Sequence, residues 1–344
     1  MWKRTNIIAL VGGGKNPKFP LNQLIIWDDH QGKIISKLRF NDNIISVRLR
    51  NDKIIVLTRN KFYAFNMNNL ITMGIIDTFD NPLGIIGISN GDNDKLIFGF
   101  PYESQGHVFL GNISQKCEKI CIVNAHNSKI ACIAINKEGT LLATASDKGT
   151  LIRIFTISDG QKISEFRRGN TTVEMNCLIF DPNNKFIGCS SNVGTIHIFS
   201  IAAITKALSE KNKEIKNEIE DEPKNSKSLL GKIGGLLNIK NAYLDTERSF
   251  AKFKIQEESS LIGFGSENTF FVITMEGTYY KAAYNPKKGG DCVKIDEKNI
   301  LVDIWWNSIL NKRMIYLAEE VFFILFINIL LINIYFYIRK YVYI

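Results

Sequence analysis

The run Glu165-Phe166-Arg167-Arg168-Gly169 carries the most specific chemistry in the chain. Each guanidinium offers a rigid fork of N–H donors matched to phosphate oxygens, which a lysine ammonium does not reproduce. In extended backbone, neighbouring side chains point to opposite faces, so two consecutive arginines serve two pockets rather than one. Phe166 then acts as a packing anchor, and Gly169 lets the backbone turn tightly behind the pair.

Such a motif needs strands to hold it. It follows the strand-like run Gln161–Ser164 at the end of a unit that recurs along the chain. Short segments ending in an aromatic residue or a polar stop begin at Gln23, Lys61, His107, Thr150, Thr195 and Thr278, with spacings of 38, 46, 43, 45 and 83 residues. The last gap is close to two periods. Partner strands precede them, such as Leu141–Ser146 before Asp147-Lys148-Gly149 and Phe186–Ser191 before Asn192-Val193-Gly194, with the glycine-containing links of β-hairpins. A period near 40 residues with several strands per unit indicates propeller blades, and six such units are recognisable.

Composition sets the outer limits. The 344 residues, 45% apolar and 22% charged, suit a packed all-β toroid, and the net charge of +9 favours an anionic partner: nucleic acid, an acidic protein or a lipid head group. Six cysteines without Cys-x-x-Cys spacing sit largely in apolar strand-like runs, read as small buried hydrophobes in a reducing compartment. The N-terminal apolar run is too short for a secretory signal, so secretion is not expected.

Together, the arginine motif and its flanking blades resemble the PROPPIN family, β-propellers that bind polyphosphoinositides in autophagy and endolysosomal traffic. The resemblance extends over roughly residues 5 to 300. It includes Leu141 to Phe155, Ser190 to Asn192 with His197 to Phe199, Glu247 to Phe253, Val11 to Gly14 with Ile26 to Asp29, and Ser46 to Arg50.

Carried over by position, the resemblance implies two head-group sites for phosphatidylinositol 3-phosphate or phosphatidylinositol 3,5-bisphosphate. The first uses Arg167 with His126, Ser146, Gly149, Thr150 and Arg153; the second uses Arg168 with Ser191, Thr195 and His197. Hydroxyls and imidazoles suit inositol hydroxyls and phosphate oxygens because they donate without a further full charge to desolvate. The resemblance implies seven blades, a non-enzymatic role recruiting autophagy or trafficking proteins, and a peripheral place on an autophagosome precursor, endosome, vacuole or plastid. Relative to that pattern the chain begins at the second blade, and an incompletely closed ring with exposed β edges is expected.

The propeller is assigned to residues 1–305, with a long insertion in the family's sixth blade at about 202–248. Its first part, Lys206 to Lys227, is of mixed charge and is read as mobile. Its second part sets Leu229, Leu230, Ile233, Leu236 and Leu237 at near-helical spacing beside lysines, and the resemblance makes them membrane-insertion candidates. Residues 306–344 form an atypical hydrophobic tail. Within it, Val321 to Ile338 carries no charge and reads as a transmembrane anchor or as translated AT-rich noncoding sequence.

Other classes fare worse. Four histidines form no metal cluster at recognised spacing, no nucleophile elbow is present, and Gly12-Gly13-Gly14-Lys15 lacks the spacing and following Ser or Thr of a phosphate loop. No cofactor, metal or enzymatic activity is expected. The aromatic stacking pattern of an RNA reader is missing, so nucleic acid is not expected either. A protein-only propeller scaffold and a tail-anchored membrane propeller remain as alternatives.

Overall fold

Strand alternation and hairpin links build six successive sheets in the computed structural model, which describes residues 6–50, 52–91, 95–210 and 247–300. The first holds β1 (Ile7–Val11), β2 (Gln23–Asp28) and β3 (Lys33–Arg39). The second holds β4 (Ser46–Arg50), β5 (Lys53–Leu57), β6 (Lys61–Asn66) and β7 (Thr72–Asp77). The third comprises β8 (Gly87–Ile88), β9 (Leu96–Pro101), β10 (His107–Ile113) and β11 (Cys117–Asn124). Next come β12 (Ile130–Ile135), β13 (Leu141–Ser146), β14 (Leu151–Thr156) and β15 (Lys162–Arg167).

The fifth sheet starts with β16 (Met175–Phe180), β17 (Phe186–Ser191) and β18 (Thr195–Ser200), after which the chain enters helix α1 (Ala202–Glu210). It returns through β19 (Glu247–Arg248) and completes the fifth sheet with β20 (Ala251–Lys254). The last unit contains β21 (Ser260–Phe264), β22 (Thr269–Thr274) and β23 (Thr278–Ala283), then β24 (Gly290–Asp291), which pairs with β20, and β25 (Val293–Asn299). The six recurring segments read from the sequence coincide with the third strand of each four-stranded unit, or with β2 in the three-stranded one. That is the architecture of a β-propeller of seven-bladed type, with six blades among the described residues.

Five apolar clusters fill the five junctions between consecutive sheets. Leu24 and Ile26 meet Ile54 and Val56 at the first junction, and Phe186 and Ile198 meet Phe264 and Phe270 at the last. Among the described residues no such cluster joins the sixth sheet to the first. The first strands of the second to sixth sheets line a cavity of about 900 Å³, bordered by Arg48, Ile88, Ala134, Leu178 and Leu261. None of the candidate site residues lines it.

Two readings of the sequence change here. Lys206 to Glu210, assigned to a mobile stretch, belongs to α1: Ile204 and Leu208, one helical turn apart, pack on the core between the fourth and fifth sheets. The arginine motif does not follow a strand but forms the end of one, since β15 runs through Arg167. Leu229, Leu230, Ile233, Leu236, Leu237 and the segment Val321 to Ile338 lie outside the described residues. Among those described, no helix is long and apolar enough to cross a membrane.

Candidate functional site

Pairing of β14 with β15 sets Leu151 opposite Arg167, Ile152 opposite Phe166 and Arg153 opposite Glu165. Phe166 therefore points into the junction between the fourth and fifth sheets, where it is fully buried and stacks on Phe199 at 5.3 Å. Arg167 alternates onto the other face, the one turned toward the third sheet, together with Glu165 and Arg153. Thr144 lies across from Arg153, so its hydroxyl and Ser146 share that face.

The rest of this first pocket comes from the loop after β11. His126 is buried, with Nε2 at 2.9 Å from the Thr144 hydroxyl. Gly106 makes this loop possible: at φ 80° its amide position lies so close to the His126 carbonyl that a Cβ would sit 1.7 Å from that oxygen. Arg153 Nε donates to Glu165 Oε2 at 2.7 Å, and Nη1 donates to the Ala125 carbonyl at 2.7 Å. Burial, aided by the Arg153 charge, pushes the His126 imidazole down to about 4, so it is neutral at physiological pH.

Arg168 leaves the strand in the opposite direction. Its amide bonds to the Thr150 carbonyl at 2.9 Å, Nε donates to the Gly149 carbonyl at 2.6 Å, and Nη2 donates to the Thr171 carbonyl at 2.7 Å. Only 7% of its surface is exposed, and desolvation lowers its pKa. Gly149 is obligatory at this turn: it has φ 62°, and a Cβ would lie 2.3 Å from the Val173 carbonyl oxygen.

The fifth sheet supplies the far wall. Across β17, β18 and β20, Cys189, His197 and Lys252 stand opposite one another, with Ser191 and Thr195 two residues along on the same face. His197 Nδ1 is 3.2 Å from the Ser249 hydroxyl. Burial, with Arg168 and Lys252 adding positive field, pushes His197 down to about 3. The Ser191 hydroxyl is buried with no hydrogen-bond partner, an expense that a ligand or water oxygen would relieve.

The sequence-derived groups are thus brought together in two places, with two reassignments. Gly149 and Thr150, expected in the first pocket, present their carbonyls to Arg168. Gly169, expected to make a tight turn, has no positive φ and open space where a Cβ would stand, so the turn does not demand glycine there. Glu165, Thr144, Ser249 and Lys252 share these faces but were not singled out from the sequence. The alternation of Ser249 to Lys254 was a signal for Lys252, but its place opposite His197 is a matter of register between distant strands. Among the described residues no group of His, Cys, Asp and Glu is arranged to hold a metal.

The sequence profile of the PROPPIN family matches residues 11–301. Among curated proteins, the chain is 31% identical over 296 residues to Autophagy-related protein 18e of Arabidopsis thaliana, covering 86% of this chain and 74% of that protein. It is 31% identical over 295 residues to WD repeat domain phosphoinositide-interacting protein 1 of Xenopus laevis, covering 81% and 64%. Hsv2 of Kluyveromyces lactis shares the fold at a TM-score of 0.66 and 21% identity, with 87% of this chain and 85% of that one covered. A similar fold, at TM-score 0.65 and 22% identity over 87% and 83%, occurs in the complex of KlAtg21 with the coiled coil of AgAtg16.

Proposed function

Because the chain belongs to the PROPPIN family, we propose that it is a non-enzymatic reader of phosphoinositide head groups in autophagy or related membrane traffic. It would take phosphatidylinositol 3-phosphate, phosphatidylinositol 3,5-bisphosphate or both. The observation that carries this reading is the splitting of the arginine pair. Arg167 lies on the face of Glu165 and Arg153, toward the third sheet, and Arg168 faces the junction with the fifth, near His197.

In the first pocket, Arg167 supplies the phosphate fork, while Ser146 and His126 offer neutral donors. Arg153 is committed to Glu165 and Ala125, so it positions the pocket wall more than it meets a phosphate. In the second, Arg168 keeps Nη1 and one Nη2 proton for the ligand after bonding Gly149 and Thr171. Ser191, Thr195, His197 and the newly placed Lys252 complete it. Two sites of moderate strength on one rigid body bind jointly by effective concentration, so selectivity follows lipid density on the membrane.

Residues 1–305 form the reading unit in this proposal. Insertion of Leu229, Leu230, Ile233, Leu236 and Leu237 into the bilayer would add an apolar hold to the head-group contacts. The protein is peripheral on an autophagosome precursor, endosome, vacuole or plastid, and recruits autophagy proteins. The Xenopus relative's name describes a phosphoinositide-interacting protein, and the structure with AgAtg16 shows that a propeller of this fold engages a coiled coil.

The test is flotation of the full chain with vesicles carrying single phosphoinositides, wild type beside Arg167→Thr/Arg168→Thr. Binding to 3-phosphorylated lipids is expected to disappear in the double variant. Equal flotation of both proteins, or binding that tracks total anionic charge regardless of phosphate position, would overturn the proposal.

A further inference from the structure

The chain re-enters the described fold at β19, and it does so on the wrong sheet. β19 pairs in parallel with the outer edge of the fourth sheet, Phe166 opposite Glu247 and Arg167 opposite Arg248, before the chain crosses to the fifth sheet as β20. Parallel partners project to the same face, and paired strands lie about 4.8 Å apart. Two arginines are therefore side by side on the face that carries the first pocket.

Like charges opposite one another weaken a strand pair. Arg248 is partly buried, and its side chain makes no hydrogen bond or ion pair among the described residues. The carboxylate on that face, Glu165, is held by Arg153 at 2.7 Å and lies 3.7 Å from Lys162. Glu247 alternates to the opposite face.

We infer that Arg248 is a third guanidinium of the first pocket, binding the same phosphate-bearing inositol ring as Arg167 and fastening the re-entering chain to the fourth sheet when that anion is present. The inference rests on the reading of Arg167 as a phosphate ligand. Two forks from adjacent strands can grip two oxygens edges of one phosphate or two phosphates of one ring. A bound anion gives Arg167 and Arg248 a shared partner of opposite charge, so β15–β19 pairing strengthens on binding. Head-group occupancy is in this way coupled to the chain that leads back from the insertion.

The experiment uses the full chain as wild type, Arg248→Gln, Arg248→Lys and Arg167→Thr/Arg168→Thr. Soluble inositol 1,3-bisphosphate is titrated calorimetrically, and vesicles with phosphatidylinositol 3-phosphate are floated in parallel. Arg248→Gln is expected to bind both probes about tenfold more weakly, the loss of a hydrogen bond to a charged group, and Arg248→Lys to recover part of it. In the wild type, inositol 1,3-bisphosphate is expected to slow amide exchange at Glu247 and Arg248. Wild-type affinity in Arg248→Gln, with binding lost in the Arg167/Arg168 variant, overturns this inference and leaves the proposed function standing. Wild-type affinity in the Arg167/Arg168 variant overturns the reading beneath it. Loss of vesicle binding alone, with the soluble probe still bound normally, assigns Arg248 to the membrane surface and also overturns it. Unchanged wild-type exchange at Glu247 and Arg248 does the same without relying on any substitution.

Discussion

The two pockets flanking the fourth sheet are built from the same residue types but balanced differently. The one toward the third sheet contains its own counter-charge: Arg153 is locked to Glu165, and both remain partly in contact with solvent. The one toward the fifth sheet has a nearly buried arginine held only by backbone carbonyls, a hydroxyl with no partner at Ser191, and a second positive charge at Lys252. Burying a charge without an opposite one is costly, so the second pocket has more to gain from an anionic ligand.

The comparison breaks most completely at the residue common to both sides. Phe166→Ala removes a fully buried ring stacked on Phe199 and should cost about 3–5 kcal/mol, lowering head-group binding at both pockets together. Urea unfolding and head-group titration check this. Retention of one pocket's affinity would show that the two are not joined through this ring.

A smaller effect separates the arginines. Arg168→Gln should cost about 2–3 kcal/mol of stability, because it frees the carbonyls of Gly149 and Thr171 from charged donors. Arg167→Gln should cost less than about 1 kcal/mol, as substitutions near a surface usually do. Equal melting temperatures for the two variants would contradict the balance described above.

The smallest effect is a dependence on pH. His126 and His197 are held at about 4 and about 3 in the folded protein, mainly by burial, whereas in the unfolded chain both titrate near 6.5. As pH falls through that window, the unfolded chain takes up protons that the folded one does not, so stability declines. The decline continues lower for His197, and His197→Asn should flatten the melting curve against pH more than His126→Asn. Soluble inositol 1,3-bisphosphate should oppose the decline, because a nearby anion favours the charged imidazole. Identical slopes for both variants would remove the difference between the pockets.

Much of this was open to reading in the chain itself. Leu141–Ser146, Phe186–Ser191, Thr195–Ser200 and Thr278–Ala283 are strands with the same bounds in the fold, because alternation and glycine-containing links are local signals. Helix α1 was missed because its apolar face is only Ile204 and Leu208, too short a pattern to stand out beside a charged insertion. The glycine assignments went astray for a related reason. Whether a turn needs φ > 0 depends on what the backbone meets, and Gly149 meets the Val173 carbonyl whereas Gly169 meets nothing.

The sequence by itself determined that the two arginines part company. Side-chain direction in a strand follows from the period of two, whatever the partners are, so Arg167 and Arg168 had to serve different neighbours. Tertiary structure alone decided who those neighbours are. Gly149 turned to Arg168, Lys252 came opposite His197, and Arg248 came beside Arg167, each through pairing between segments far apart in the chain. Such pairing is set by burial and by closure of the hydrogen-bond ladder, which no stretch of sequence contains alone.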